Sequence, residues 1–121
     1  MKRASVLVVV CANPIDDHLR DEKPYYLFDC GMAVENLILG AISMGFAVHP
    51  TFGWDEAIVK RNLNIPDLVR VVTIIALAKP GNVEELDKDL QRREKAPRVR
   101  KPIEEIACWD EWTLPITQPE H

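Results

Sequence analysis

The chain has 121 residues, of which 47% are hydrophobic and 28% are charged, and its net charge is −4. This length and ordinary composition indicate one globular domain with one hydrophobic core. The acidic balance, with no large basic cluster before residue 92, argues against nucleic acid as a partner, because phosphate binding needs clustered Lys and Arg.

The cysteines and histidines do not form a recognisable metal or disulfide pattern. Cys11, Cys30 and Cys108 are an odd, widely spaced set without a C-x-x-C pair, which favours reduced thiols in a cytoplasmic protein. The three histidines show no ligand spacing with one another or with the cysteines. No metal site is therefore predicted.

The first apolar segment, "ASVLVVVCA", follows a positively charged start and so resembles a signal peptide. Its β-branched valines and the stop before Pro14 favour instead a buried central strand over residues 5–12. No segment has the roughly 20 unbroken apolar residues of a membrane span. We therefore expect a cytoplasmic protein that does not contact a membrane.

A charged loop over residues 13–23 separates this strand from a long helix predicted over residues 25–44, which ends near Gly45, a natural residue for a helix C-terminus. On a helical wheel, Asp29, Asn36 and Ser43 recur every seven residues and lie within about 40° of one another. Nearly every other position is apolar or small. The helix therefore has a thin polar seam and must be enclosed on most of its sides.

A domain of this size cannot easily enclose such a helix alone. Small residues such as Gly40 let a second backbone approach closely, and a polar seam can fix the register of the contact. We therefore predict that the helix lies in the core of a homodimer. The alternative is an ordinary buried helix whose Asn36 is satisfied within its own chain.

A short helix is predicted over residues 54–63, with Asp55 and Glu56 in its first turn and cations in its last turn, which complements the helix dipole. Thr51 or Gly53 would cap it, and Pro66 follows its end. Residues 70–78, "RVVTIIALA", then predict a second buried strand.

The composition changes after this strand. Residues 82–101 are almost wholly charged and predict a solvated linker or arm, whereas residues 102–112 regain apolar character and include Trp109 and Trp112. We divide the chain into a domain over residues 1–112, whose C-terminal arm starts at about residue 82, and an extended tail over residues 113–121. A tail that leaves the domain and follows aromatic residues often wraps a partner subunit.

No nucleophile and base can be paired from the sequence, and the usual glycine-rich phosphate loops are absent. Two weaker features remain. Exposed amides in "PTFGW" at a helix start could donate hydrogen bonds to an electron-rich ligand, and the cations of "APRVRKP" suit a phosphate. The alternative interpretation of "PTFGW" is an ordinary turn, and that of "APRVRKP" is a solvated run of charges.

Three segments in order carry a family resemblance: "DCGMAVENLILGAISMGF", "FGWDEAIVKRNLNIPDLVRVVTIIALAKPG" and "RVRKPIEEIACWDEW". Together they resemble the C-terminal part of the FMN-dependent nitroreductase family, over about residues 4–112. The resemblance implies an α+β homodimer in which the long helices pack together, the C-terminal arm extends over the partner, and FMN lies at the dimer interface.

The resemblance also implies functional positions. Pro50, Thr51, Phe52 and Gly53 match the segment beside the flavin ring, and Arg98 and Arg100 match basic residues that reach the FMN phosphate. The implied activity is FMN-dependent reduction of nitroaromatics, quinones or similar acceptors by NAD(P)H, in which the flavin carries the hydride chemistry.

Members of the family normally have roughly another third of chain before the first strand, with further flavin-binding residues. The fold is therefore expected to be nitroreductase-like but truncated at its N-terminus, with only part of a flavin site. Three interpretations stay open: a fragment of a longer reductase, a short relative that completes its flavin site in another way, and a non-catalytic relative that dimerises or binds another ligand.

Overall fold

A computed structural model describes residues 4–17 and 21–115 of the chain. The predicted positions at His18, in the N-terminal tripeptide and in the last six residues of the tail lie outside these ranges. In chain order the helices and strands are β1 (Val6–Ala12), α1 (Tyr25–Ser43), β2 (Ala47–Thr51), α2 (Glu56–Leu63), β3 (Arg70–Ala78) and α3 (Lys88–Glu94). Mixed helices and an antiparallel sheet confirm the predicted α+β class.

The sheet has three antiparallel strands in the order β1-β3-β2, so β3 is its centre. The predicted second strand is confirmed, and its β-branched run supplies the core: Val71, Ile74 and Ile75 are the hydrophobic side chains that are buried in the described part of the chain. Ile75 is fully buried. The domain is therefore organised around one strand.

The prediction that β1 is a buried central strand is wrong. β1 pairs only with β3, which makes it an edge strand within the described residues, and the side chain of Val6 is 53% exposed. A continuous apolar run predicts burial on both faces, but it carries no information about strand order. Here β3 occupies the central position.

β2 was not predicted. Its five residues contain Pro50, which discourages a strand assignment because proline cannot donate a ladder hydrogen bond. β2 lies at the other edge of the sheet, where proline is tolerated, and Pro50 is opposite Ile75. Thr51 therefore belongs to a strand rather than to the cap of the following helix.

The predicted bounds of the long helix are confirmed by α1. Its C-terminus is a Schellman motif, in which Phe46 N–H donates to the Ala41 carbonyl and Gly45 N–H donates to the Ile42 carbonyl. Gly45 has φ +82°, a left-handed conformation that a side chain would strain. The chain therefore turns sharply between α1 and β2.

No residue of α1 is buried, although nearly the whole helix is apolar or small. Large side chains such as Phe28, Leu39 and Ile42 are exposed by more than half, and Asn36 is also exposed. The alternative in which the helix is buried within its own chain is therefore wrong for the single chain. By length and composition alone α1 is also long and apolar enough to cross a membrane, a property that core helices of soluble proteins share.

The short helix α2 is confirmed, but its predicted cap is wrong. Asp55 is the N-cap, and its Oδ1 accepts a hydrogen bond from Ile58 N–H at 3.0 Å. Thr51 and Gly53 lie too far upstream, because β2 and a turn occupy those positions. Asn64 ends the helix in the left-handed conformation with φ 53°.

The chain divides into two compact units, the first ending at Gly81 and the second beginning at Asn82. Within the second unit, α3 lies inside the segment predicted to be a solvated arm, and Asp87 caps it by accepting from Leu90 N–H at 2.9 Å. The following segment contains Trp109 and Trp112, and both indoles are largely exposed. Charge content alone did not predict this helix.

Candidate functional site

The turn over residues 52–54 joins β2 to α2; two side-chain hydrogen bonds hold its entrance to the central strand, and a third closes the turn on its own entrance. Thr51 Oγ1 donates to the Ile74 carbonyl at 3.1 Å, and Thr73 Oγ1 donates to the Thr51 carbonyl at 2.9 Å. Trp54 Nε1 donates to the same Thr51 carbonyl at 3.1 Å. Because Ile74 is part of the buried core, the entrance of the turn is anchored to the central, most buried strand.

The turn itself exposes backbone donors. Neither Phe52 N–H nor Gly53 N–H donates a hydrogen bond to another described residue, and the side chain of Phe52 is 95% exposed. Apart from its two chain neighbours, no described residue has an atom within 4 Å of the position that a Cβ of Gly53 would occupy, so the backbone is open to a ligand on this side. Two amide donors beside open space and an aromatic side chain fit the polar edge of a flavin ring.

Glu56, in the first turn of α2, joins that helix to the start of β3. Its Oε1 accepts from Arg70 Nε at 3.0 Å and from Val71 N–H at 2.9 Å, while Oε2 accepts from Arg70 Nη2 at 3.1 Å. Lys60 Nζ, one helical turn later, lies 3.3 Å from Oε1. We call this set of contacts the Glu56 clamp.

The Glu56 clamp changes the acidity of its carboxyl group. The hydrogen bond from Arg70, followed by that from the Val71 amide, lowers the pKa of Glu56 from 4.5 to about 2. The same contacts raise the pKa of Arg70. Glu56 is therefore ionised at neutral pH, and its carboxylate faces the cations of Arg70 and Lys60.

Arg98 and Arg100 lie in the second compact unit, in the extended segment after α3. Both are exposed, and Arg100 Nη1 donates to the Val99 carbonyl at 2.8 Å. Their remaining guanidinium donors suit a phosphate. The predicted ring-edge residues Pro50 to Gly53 belong to the first unit, so the two predicted sets come from different units.

An open depression of about 320 Å³ also lies in the second unit. None of the predicted site residues lines it. Its lining is mixed polar and apolar and consists of Ile103, Glu104, Ala107, Cys108, Trp109 and Thr113.

Two of the thiols have raised pKa values. Burial raises the pKa of Cys11, with a smaller contribution from the neighbouring Cys30 thiol, and burial together with Asp29 raises the pKa of Cys30. Both thiols are therefore protonated at neutral pH and are poor nucleophiles.

Sequence reasoning missed the role of Glu56. The sequence shows it only as an acidic residue in a first helical turn, four residues before Lys60. Its main partners, Arg70 and the Val71 amide, are 14 and 15 residues away along the chain. No local pattern signals such a contact.

Glu56→Gln should remove a pH-dependent part of the stability. Because the pKa of Glu56 is lowered in the folded chain, its contribution is complete above about pH 4.5 and is lost as the pH falls towards about 2. We expect the Tm of the wild-type chain, measured by circular dichroism, to fall more steeply than that of Glu56→Gln across this window.

The matched control is Asp67→Asn, which removes an exposed carboxylate that accepts no hydrogen bond from a described residue. This variant should keep the steep wild-type dependence. Parallel curves for the wild-type chain and Glu56→Gln would contradict the assignment.

Comparison with known proteins identifies relatives in sequence and in structure. The model of the Nitroreductase family matches residues 1–79. A relative from Mycolicibacterium smegmatis, an uncharacterized 15.4 kDa protein in the ask 5′ region, is 32% identical over 115 residues, which cover 93% of this chain and 75% of that protein.

Two solved structures are similar in both fold and sequence. An oxidoreductase containing FMN has a TM-score of 0.80 and 28% identity, over 93% of this chain and 58% of its own. A nitroreductase family protein from Clostridium novyi NT has a TM-score of 0.61 and 32% identity, over 64% of this chain and 44% of its own.

A third structure, a nitroreductase family protein from Clostridium difficile 630, shares the fold with a TM-score of 0.73 at 20% identity, over 91% of this chain and 62% of its own. This chain thus spans less than two thirds of the length of these solved relatives. The match to the family model, the relative in sequence and the shared architecture agree with the resemblance in the sequence: the chain belongs to the nitroreductase family and has its α+β fold.

Proposed function

We propose that this chain supplies part of the FMN site of a nitroreductase-type oxidoreductase that uses NAD(P)H to reduce nitroaromatics, quinones or similar acceptors. The observation that carries the proposal is the pair of exposed amides at Phe52 and Gly53, which have no partner among the described residues. They occur in a fold shared with an oxidoreductase that contains FMN. The general oxidoreductase role follows from the family, and the cofactor and acceptors are the specific part of the proposal.

The ring-edge role belongs to the segment from Pro50 to Gly53. Thr51 fixes the turn to β3, and the amides of Phe52 and Gly53 donate to the polar edge of the ring. Donors at this edge stabilise the ring best when it carries more electron density, so they favour its reduced form. When bound, FMN supplies the hydride chemistry, and the chain supplies binding and orientation.

The phosphate role belongs to Arg98 and Arg100. Both side chains are exposed in an extended segment, and a guanidinium group can bind phosphate oxygens through two parallel hydrogen bonds. In the proposed protein this segment is the C-terminal arm, which reaches the phosphate of FMN at an interface between two copies of the chain.

The homodimer proposal rests on α1. The helix exposes Phe28, Leu39 and Ile42 by more than half and buries no residue within the single chain. An apolar surface of this kind is stabilised by contact with a second protein surface. A second copy of α1 supplies both the apolar residues and a matching polar seam.

We also propose that the protein is cytoplasmic.

A second candidate function is a non-catalytic module that dimerises or binds another ligand. The specific observation in its favour is the apolar face of α1, which is exposed in the single chain. A dimer formed through α1 does not itself require FMN.

The first experiment is a visible absorption spectrum of the purified chain before and after incubation with FMN and removal of the excess. The proposed function predicts a retained flavin spectrum and FMN-dependent oxidation of NAD(P)H. A colourless dimer that takes up no FMN would favour the non-catalytic module.

The double variant Arg98→Ala and Arg100→Ala should weaken FMN binding by roughly tenfold or more, because two charge-assisted contacts to the phosphate are lost. Quenching of FMN fluorescence measures this affinity. The matched control is Arg92→Ala with Arg93→Ala, which removes two cations from α3 and should bind like the wild-type chain. Equal affinity for the Arg98/Arg100 variant would refute the phosphate role.

Gly40→Leu should weaken the homodimer while leaving the single chain folded. Apart from the chain neighbours and the backbone of α1 itself, no atom lies within 4 Å of the position of a Cβ at Gly40, and leucine favours a helix more than glycine does. Analytical ultracentrifugation should show a weaker dimer, with unchanged helix content by circular dichroism. An undisturbed dimer would place the interface elsewhere.

A further inference from the structure

The turn over residues 52–54 is connected to β3 on both of its sides. At the entrance, Thr51 is held by the Ile74 carbonyl and by the Thr73 hydroxyl. At the exit, Asp55 starts α2, and the next residue is Glu56. The orientation of the Phe52 and Gly53 amides therefore depends on what holds α2 as well as on what holds β2.

The Glu56 clamp is what holds the first turn of α2 to β3. Three hydrogen bonds of 2.9 to 3.1 Å run from Arg70 and from the Val71 amide to the carboxylate. Val71 is buried in the core, so the carboxylate reaches the same central strand that anchors Thr51. In the described residues, both ends of the turn are thus tied to β3 within four positions, Arg70 to Ile74.

The Glu56 clamp is more than an exposed surface ion pair. Its carboxylate is mostly covered, with 26% of the side chain exposed, and it faces two cations and a backbone donor. Other contacts of α2, such as Lys60 Nζ donating to the Asp67 carbonyl at 3.0 Å, lie near its C-terminal end and do not constrain the first turn. The Trp54 indole ties the end of the turn back to the Thr51 carbonyl, and Glu56 is the side chain that ties the following helical turn to β3.

We propose that Glu56 is a positioning residue for the flavin, which holds the amides of Phe52 and Gly53 in the orientation that binds the ring edge. This inference rests on the proposed FMN site and assigns a role to a residue outside it. Glu56 does not contact the ring; it acts through the backbone of residues 52–55. Loss of the clamp allows the exit of the turn to move, so the two amides no longer point together at one acceptor edge.

The test compares FMN binding to the full chain in three variants. Glu56→Ala removes every contact of the clamp and should raise the Kd for FMN roughly tenfold. Glu56→Gln keeps an oxygen that can accept from the Val71 amide, so it should recover part of the affinity. Asp67→Asn removes a carboxylate outside the clamp and should bind like the wild-type chain.

The reduction potential of bound FMN separates positioning from a general loss of stability. Val8→Ala, in the half-buried part of β1, destabilises the sheet without touching the turn and serves as a control of matched Tm. Glu56→Ala should shift the potential of the bound flavin towards that of free FMN, because the amide donors that favour the reduced ring are misaligned. Val8→Ala should leave the potential of the bound fraction unchanged.

Each outcome has a distinct meaning. If the wild-type chain retains no FMN, the proposed function and this inference fall together. If the wild-type chain binds FMN but Glu56→Ala has the same Kd and potential, or changes no more than Val8→Ala, only the positioning role of Glu56 is overturned. A raised Kd with a shifted potential, partly rescued by Glu56→Gln, supports it.

Discussion

The central strand β3 is the constraint on which the rest of the first unit depends. It contributes the three buried hydrophobic side chains of the described residues and pairs with both other strands. Its backbone and its polar side chains also hold the candidate site: residues Arg70 to Ile74 bind Glu56 at one end of the turn and Thr51 at the other. The strand is thus both the core and the anchor of the exposed amides.

This arrangement explains how a turn with few contacts of its own can present a defined pair of donors. Phe52 and Gly53 are exposed, and the internal hydrogen bonds of the turn come from Trp54, whose N–H donates to the Phe52 carbonyl and whose Nε1 donates to the Thr51 carbonyl. These two bonds close the turn but do not connect it to the sheet, so its orientation relative to the sheet depends on its flanks. Short hydrogen bonds from a buried strand to both flanks fix that orientation.

The predictions from sequence succeeded where a pattern is local. The bounds of α1 followed from apolar content and from Gly45, and the burial of "RVVTIIALA" followed from its β-branched run. They failed where the answer depends on pairing between distant segments. The apolar run of β1 indicated burial on both faces, yet its place in the sheet depends on β3, about 60 residues later.

The same difference between local patterns and long-range contacts applies to the candidate site. The exposed amides near Gly53 were predicted from the turn sequence together with the family resemblance, whereas β2, the Asp55 cap and the Glu56 clamp were not. β2 was missed because it has only five residues and one of them is Pro50. The cap was missed because Asp55 stands next to Glu56, and both were read as residues of the first helical turn. The partner of Glu56 is set by the antiparallel fold and has no signature in the sequence around it.

Electrostatics give a further reason for the composition of the clamp. A carboxylate three residues after Gly53 would by itself disfavour an electron-rich ring at the neighbouring amides. Arg70 and Lys60 offset that charge, and the hydrogen bonds from Arg70 and from the Val71 amide lower the pKa of Glu56 and so keep it ionised. The chain can therefore use a carboxylate, whose two oxygens accept several hydrogen bonds at once, to hold the helix without placing an unpaired negative charge beside the proposed flavin. A neutral amide side chain at this position would avoid the charge but would bind Arg70 less tightly, and the turn would be held less firmly.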